Sequence, residues 1–427
     1  MSTKTEIVRN AFMGEEMIKI THASGLMIYV IKKEFKSAYA IFGTRYGSFD
    51  NEFVVDGENI KVPHGIAHFL EHKMFETEEG GDTFEQFAEI GADANAYTST
   101  DRTAYLFSCT ENFYKAFETL VNMVVTPVFT KENVGKEQGI IAQEIKMCED
   151  RPSNTLHYNL MKALYEKNPV RIPIAGTVES ISKITAELLY KCYKSFYRMN
   201  NMAICVCGDV DSDKILEIVD RYVPSIRESE VEFSKESDSP IVNATLVSEE
   251  TEISKPMFRI GVKLPEGTPE NSCACEILWE ALFSSCEDFF SDIYESELVC
   301  GYKYYYEYSR PCSYFAIGGD SDSPEAVFEK FKEYAKNIVA NGVPREAFER
   351  AKRNAYADVI RGFDYSDEIA EGMFESFLVN ENYLDIADSY QAVTYDNVQE
   401  LAKIALSDER FCMSVLYPRG KSPLKGE

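Results

Sequence analysis

The run His68-Phe69-Leu70-Glu71-His72 places two imidazoles and a carboxylate within five residues. On a helix, residues four apart lie on one face, so His68 and His72 can offer two nitrogens to a single ion. Glu71 projects beside that pair and can reach a water on the ion without binding the ion itself. The order H-x-x-E-H is the inverted form of the zinc-peptidase helix motif. The chemistry it implies is hydrolysis of a peptide bond, with Glu71 as the base that takes a proton from water and hands it to the leaving amine. Histidine is scarce here. The chain has five, three of them (His64, His68, His72) in this stretch and none after His157. A chance match on a surface helix is the competing account; the apolar flanks and the scarcity of histidine elsewhere weigh against it.

A catalytic zinc takes three protein ligands and leaves a position for water. The third ligand must come from elsewhere, and Glu144 is assigned to it. Lys131–Asp150 reads as a long helix with Val134, Ile140, Ile141 and Ile145 as its buried stripe. Glu137 and Glu144 stand close to two full turns apart and face the same way. One can bind the metal while the other orients a histidine. His64 could be a fourth ligand, but a water-bearing site needs only three, so it reads as a neighbouring polar residue. Glu149 and Asp150 fall off the shared face and read as solvated helix-end charges.

The elements that must hold these groups follow from periodicity. His64–Phe75 reads as a helix after Pro63, with Ile66, Phe69, Leu70 and Phe75 at helical spacing. Strands are expected at Met17–Thr21, Leu26–Lys32, Ala38–Arg45, Thr103–Cys109 and Met202–Cys207. Helices are expected at Phe84–Ile90, with a Thr83/Gln86 capping box, and at Asn112–Val125, 154–166, Ile184–Phe196 and Ser212–Arg221. An acidic, aperiodic stretch at 227–247 reads as a linker. Strands then recur at Met257–Leu264, Tyr302–Tyr308 and Tyr314–Gly318, and helices at Cys273–Phe283 and Ala326–Val339. Cys273–Phe283 falls where the first half carries the histidine motif, and it has no histidine. Thr130–Glu137 echoes Pro344–Ala351, and the Ile184 helix with its following strand echoes the Val398 helix with the Phe411 strand. The expected fold is α+β: two related domains, 1–226 and 248–427, each an antiparallel-rich sheet with helices on one side.

Composition narrows the partners. The chain has 427 residues, 45% hydrophobic and 27% charged, which suits a globular protein of more than one domain. Its net charge of −27 argues against nucleic acid or an anionic membrane as the main partner. Basic peptides would suit that charge, although an acidic solvated surface is the commoner account. Tyr302, Tyr304, Tyr305, Tyr306 and Tyr308 could stack bases, but without basic neighbours they read as sheet packing. Eleven scattered cysteines without a C-x-x-C pair read as free thiols. The first ten residues lack an apolar core for a signal peptide, and no run of eighteen apolar residues offers a membrane span. A reduced, cytoplasmic setting is expected.

With these residues in place, the chain resembles the pitrilysin-type zinc peptidases, the inverzincin family that includes insulysin and mitochondrial processing peptidase. The likeness covers most of the chain and is strongest from Gly65 to Gly208. His68, Glu71 and His72 match the family motif in order. Glu144 falls where the family places its distal zinc ligand, and Glu137 on its helper glutamate. Gly91–Thr98, ahead of a strand containing Arg102 to Phe107, and Pro173–Ile181 also match. Within the family the likeness runs toward a bacterial cytoplasmic branch related to the YmfH proteins, which accompany a zinc-lacking homologue. The resemblance implies cleavage of short or unfolded peptides in a clamshell chamber of two homologous halves. The peptide would add as a strand along Asn95, Ala96, Tyr97 and Thr98; on spacing alone, that segment could equally be a turn into a core strand. Relatives hold substrate with an Arg and a Tyr from the second half. Tyr302 matches the tyrosine, but Ile293–Tyr302 has no arginine and the next one is Arg310. A zinc-lacking partner, in a heterodimer or alternatively a homodimer, is expected to supply it.

Overall fold

The computed structural model describes residues 2–55, 57–77, 81–224, 232–233, 238–265, 269–308 and 312–421, the side chains of 232–233, 269–270 and 306–308 excepted. Arg310 and residues 227–231 and 234–237 of the expected linker lie outside the described residues.

The first half runs β1 (Lys4–Asn10), β2 (Glu15–Thr21), β3 (Met27–Lys32), β4 (Ala38–Thr44), β5 (Glu52–Val55), β6 (Glu58–Lys61), α1 (Ile66–Lys73), α2 (Thr83–Ile90), β7 (Ala92–Thr98) and β8 (Thr103–Cys109). It continues through α3 (Phe113–Val125), α4 (Lys131–Glu149), α5 (Pro152–Leu164), α6 (Val178–Ile181), α7 (Ala186–Phe196), β9 (Met202–Gly208) and α8 (Ser212–Tyr222). After β10 (Glu232–Phe233) come β11 (Leu246–Thr251), β12 (Met257–Lys263), α9 (Pro269–Phe283), α10 (Asp288–Glu295), β13 (Gly301–Tyr308) and β14 (Ser313–Asp320). The chain ends with α11 (Pro324–Asn341), α12 (Arg345–Gly362), α13 (Ser366–Val379), α14 (Ile386–Ala392), α15 (Tyr395–Ala405) and β15 (Phe411–Pro418).

Two mixed sheets organise these elements, in the orders β1-β2-β3-β9-β4-β8-β7 and β11-β15-β12-β14-β13. Their last five places correspond one to one. β3 runs parallel to β9 as β11 does to β15, and every other neighbouring pair in both series is antiparallel. The intervening helices match in order too, α1 with α9 through α7 with α15. The α+β reading and its internal duplication therefore stand on topology.

The units themselves are interleaved along the chain. One comprises 1–145, 173–235 and 359–386; the other comprises 146–172, 236–358 and 387–427. This differs from the contiguous 1–226 and 248–427 of the sequence reading. The reason is a reciprocal exchange: α5 packs on β12 and β15 of the second sheet, and α13 packs on β4 and β9 of the first. Both faces of each sheet are thus covered, where helices were expected on one side only. Glycines make room for the covering helices. A methyl at Gly43 would lie 2.2 Å from the Phe374 ring, and one at Gly261 would lie 2.9 Å from Leu160. The expected linker also contains structure: Glu232–Phe233 pair with β5, and β11 begins at Leu246.

In the first unit, apolar residues alternate along the strands between two cores. Phe42, Tyr105, Phe107, Ile204 and Val206 face the core that α1, α3 and α7 close. Tyr39, Ile41, Cys205 and Cys207 face α13. The edge strand β7 pairs with β8 and with no other strand among the described residues.

Candidate metal centre

Helix α1 is short, and its seat is specific. Gly65 caps it at φ 89°, in the left-handed region, and a Cβ there would stand 2.4 Å from the Ala175 carbonyl. Gly176, at φ 73°, meets the His64 carbonyl just as closely, and the Ser180 hydroxyl donates to that same carbonyl at 2.7 Å. The segment Pro173–Ile181 is therefore the platform on which the histidine helix begins.

From that seat, Ile66, Phe69 and Leu70 enter the core while His68 and His72 stay at its margin, their ring centroids 4.6 Å apart. Helix α4 brings in Glu144. His68 Nε2 lies 3.6 Å from Glu144 Oε1, and His72 Nε2 lies 3.6 Å from Glu144 Oε2. One donor atom from each residue falls within 4.8 Å of the other two. Glu137, two turns before Glu144, accepts from His72 Nδ1 at 3.1 Å. With Nδ1 engaged, the Nε2 lone pair of His72 is directed at Glu144. Two imidazole nitrogens and a carboxylate oxygen, converging with space between them, fit a divalent ion of the zinc type.

Electrostatics fit the same ion. Burial, aided by the charge of His72, pulls His68 down to about 4, so its ring is neutral and able to ligate near pH 7. Burial also opposes charge on His72, but the Glu137 hydrogen bond and the carboxylates of Glu71, Glu137 and Glu144 outweigh it and raise its pKa. Glu137 is held below the usual carboxylate range: burial works against it, and the His72 hydrogen bond and the Lys73 charge prevail. Glu71 is 8% exposed, and burial raises its pKa despite a hydrogen bond from the Thr98 hydroxyl at 2.8 Å. A carboxylate with a raised pKa beside a metal site is suited to receive a proton.

The other candidates separate cleanly. His64 bonds Asn51 at 3.1 Å and stays out of the cluster, as a neighbouring polar residue. Glu149 and Asp150 are exposed. Asn95, Ala96, Tyr97 and Thr98 all lie on β7, a true edge strand and not a turn. The Asn95 side chain accepts from its neighbour's amide, Ala96 N, at 2.9 Å. Tyr97 turns to the opposite face, where its hydroxyl and that of Tyr39 donate to the two oxygens of Glu371 on α13, at 2.8 and 2.9 Å. The ring expected to meet substrate is thus spent on the sheet's other side. Tyr302 belongs to the second unit and donates its hydroxyl to the Phe283 carbonyl at 3.1 Å, among Phe289 and Phe290. It is a packing residue there.

Three residues escaped sequence reading: Glu371, the Thr98 hydroxyl as a partner of Glu71, and Lys73. The last left a signal. Ile66, Phe69, Leu70 and Lys73 sit at i, i+3, i+4 and i+7, so a lysine occupies the buried stripe of its helix.

Fold and site together define a two-unit protein with a peptidase-type metal motif in one unit. Comparison with known proteins agrees. Residues 58–178 match the model of the insulinase family (peptidase family M16), and residues 183–355 match that of the peptidase M16 inactive domain. A Bacillus subtilis (strain 168) protein, named as the uncharacterized zinc protease YmfH, is 34% identical over 93% of this chain and 95% of its own length. The crystal structure of a putative M16-like peptidase from Alicyclobacillus acidocaldarius, 32% identical, superimposes with a TM-score of 0.89, covering 98% of this chain and 99% of that one. A Helicobacter pylori protease shares the fold at a TM-score of 0.82 and 18% identity, covering 98% of this chain and all (100%) of that one. The chain belongs to the M16 peptidase family.

Proposed function

We propose that the chain is a zinc-dependent metallopeptidase that hydrolyses short or unfolded peptides together with a homologous, zinc-lacking subunit. The observation that carries this is the convergence of His68 Nε2, His72 Nε2 and Glu144, with Glu71 held beside them by Thr98. Zinc bound there would acidify water and polarise a carbonyl. The chain's own groups do the rest. Glu137 fixes the ring of His72 through Nδ1. Glu71, oriented by Thr98, accepts a proton and returns it to the leaving amine. The free edge of β7 offers main-chain donors and acceptors to an extended peptide, which gives binding with little sequence selectivity. Names of relatives such as YmfH, which specify a zinc protease, support the same reading.

A partner is supported by what the second unit lacks. Ile293–Tyr302 carries no arginine, and the Tyr302 hydroxyl is already engaged. Among the described residues no helix is long and apolar enough to cross a membrane. None of the eleven cysteines is in a disulfide, which favours a reducing, cytoplasmic setting.

A second reading is a non-catalytic peptide-binding or assembly subunit. The match of residues 183–355 to the inactive-domain model favours it. The two separate in one experiment: zinc content of wild type and His68→Ala, and peptide cleavage by wild type and Glu71→Gln, each with and without a co-purified homologue. The enzyme reading expects about one zinc in wild type and in Glu71→Gln, none in His68→Ala, and cleavage by wild type alone among the three. Zinc-loaded wild type that cleaves nothing even with its homologue leaves the subunit reading. Vigorous cleavage by the chain alone removes the need for a partner.

A further inference from the structure

Lys73 follows the second histidine directly and is fully buried, with no exposed side-chain surface. Its ammonium is paired with Glu76 Oε1 and lies 3.5 Å from Glu137 Oε2. The other oxygen of Glu137 accepts from His72 Nδ1. The carboxylate is therefore flanked at both ends, by the Lys73 ion-pair contact on one side and by the hydrogen bond of a metal-ligand ring on the other. A buried ion pair is a poor source of stability, and apolar replacement is often neutral or better. Its presence calls for a reason other than folding.

The second unit supplies the comparison. Aligning α9 on α1 through Leu278 and Leu70 sets Glu276, Trp279 and Glu280 against His68, Glu71 and His72. Apolar burial agrees along the pair: Ile277, Leu278, Leu282 and Phe283 are buried, as are Phe69, Leu70, Met74 and Phe75. In this register Lys73 corresponds to Ala281. The repeat of Thr130–Glu137 in Pro344–Ala351 sets Glu137 against Ala351. Both alanines are buried, at 1% and 2% exposure. Where the histidines are absent, both members of the charge pair are absent too, and the fold is kept with a methyl in each place.

We propose that Lys73 is a positioning residue for the metal centre: it anchors Glu137 so that the free carboxylate oxygen orients His72 with Nε2 open to the ion. This rests on the peptidase reading. The lysine touches neither metal nor substrate and acts through Glu137 alone.

The test is a double-mutant cycle on the full chain: wild type, Lys73→Met, Glu137→Gln and the double variant. Zinc affinity is read by chelator competition, cobalt(II) absorption reports the ligand field, and melting of the metal-free protein reports the fold. Removing a partner that orients a ligand lowers metal affinity about 10–100-fold. Lys73→Met is expected to weaken zinc by about 10-fold and to move the cobalt bands. In the Glu137→Gln background the same change is expected to add nothing, because coupled groups are non-additive. Zinc held by Lys73→Met as tightly as by wild type overturns the proposal, and so do losses that simply multiply. Where Lys73→Met proves insoluble, Lys73→Met/Glu76→Gln removes the lysine with its other anion and is read by the same criteria. A wild-type chain that takes up no zinc sinks the metal reading and the lysine's role together; tight zinc binding by Lys73→Met sinks the role alone.

Discussion

Helices α1 and α9 hold the same place in two related units and carry polar pairs at the same spacing, His68 with His72 and Glu276 with Glu280. They differ in what those groups are left to do. In α9, Tyr390 donates to Glu276 and Tyr304 donates to Glu280, so both members of the pair find hydroxyl partners inside the unit. The one buried group left without a partner there among the described residues, Trp279 Nε1, is an indole N–H that offers no lone pair to an ion. Trp279, stacked on Phe315 at 4.2 Å, fills the place that Glu71 takes in α1. In α1, the Nε2 atoms of both histidines stand 3.6 Å from Glu144, beyond hydrogen-bond reach, and His68 Nδ1 has no hydrogen-bond partner among the described residues. Buried polar groups are normally satisfied. A site is a place where the chain stops satisfying them and leaves valence for something else.

If open valence separates the two helices, removing it at Glu71 should have the largest effect. Glu71→Gln keeps shape and can still accept from Thr98, but it cannot take a proton. Peptide hydrolysis is expected to fall by roughly 10²–10⁴-fold, with zinc content unchanged. Steady-state kinetics alongside metal analysis checks this. Normal turnover would make Glu71 as structural as its counterpart Trp279, and the contrast would fail at its centre.

Much of this was legible in the chain, for local reasons. The motif is local: five residues of one helix, with apolar neighbours that fix which side is buried. Glu137 and Glu144 were legible for the same reason, being one face of one helix. What escaped reading is non-local. Nothing within Ser366–Val379 says that Ile369, Met373 and Phe374 will cover the first sheet and not the second, since any apolar helix face suits either. The same holds for Leu160 on α5. The unit boundaries at 226 and 248 were therefore drawn where the sequence pauses, not where the packing divides. Helix α2 shows a smaller miss. Thr83 and Gln86 have capping-box spacing, yet Asp82 is the cap, accepting from the Phe84 amide at 2.8 Å, and the Thr83 hydroxyl turns inward to the Phe75 carbonyl at 2.8 Å. Two adjacent residues can both cap, and tertiary contacts chose between them.

Buried acids sharpen the comparison next. Asp238 of the second unit accepts from the amides of Lys167 and Asn168, each at 2.9 Å, and pairs with buried Lys263 at 3.1 Å. Burial works against its charge, but these partners prevail and hold it down to about 2. Glu71 goes the other way, raised by burial even though the Thr98 hydroxyl and the charge of His72 oppose it. The folded pKa of Asp238 lies below its ordinary value of 3.8. Its stabilisation is therefore complete above that value and is lost as pH falls toward about 2. Asp238→Asn should cost about 1.5–3 kcal/mol at neutral pH, the range for hydrogen bonds to a charged group. The loss should shrink in acid, where wild type is also neutral. Urea melts at neutral and acidic pH measure it; a loss that does not vary with pH would show the carboxylate's charge to be irrelevant.

Thr98 should act on rate more than on stability. Its hydroxyl opposes the rise in the Glu71 pKa, so Thr98→Val should raise that pKa further. The base works deprotonated, and activity is lost as pH falls through its pKa. The acid limb of kcat/KM is therefore expected to move to higher pH, with kcat near neutrality lowered by less than the roughly 10²-fold that a fully mispositioned base would cost. An unshifted acid limb would mean that Thr98 merely packs.

The smallest effect belongs to the closed helix. Tyr304→Phe removes the hydroxyl that satisfies Glu280 and leaves the ring's contacts with Tyr302 and Phe315 in place. Glu280 is only part-buried, so water can replace some of what is lost. Stability should fall by about 1 kcal/mol, the net worth of one such bond, while zinc content stays as in wild type. Denaturant midpoints and metal analysis read the two independently. Unchanged stability would mean that solvent already satisfies Glu280 and that α9 is no more closed than α1. A gain of bound zinc would mean that two carboxylates one turn apart need only lose a hydroxyl to become a second metal site, and that the units differ by their tyrosines more than by their histidines.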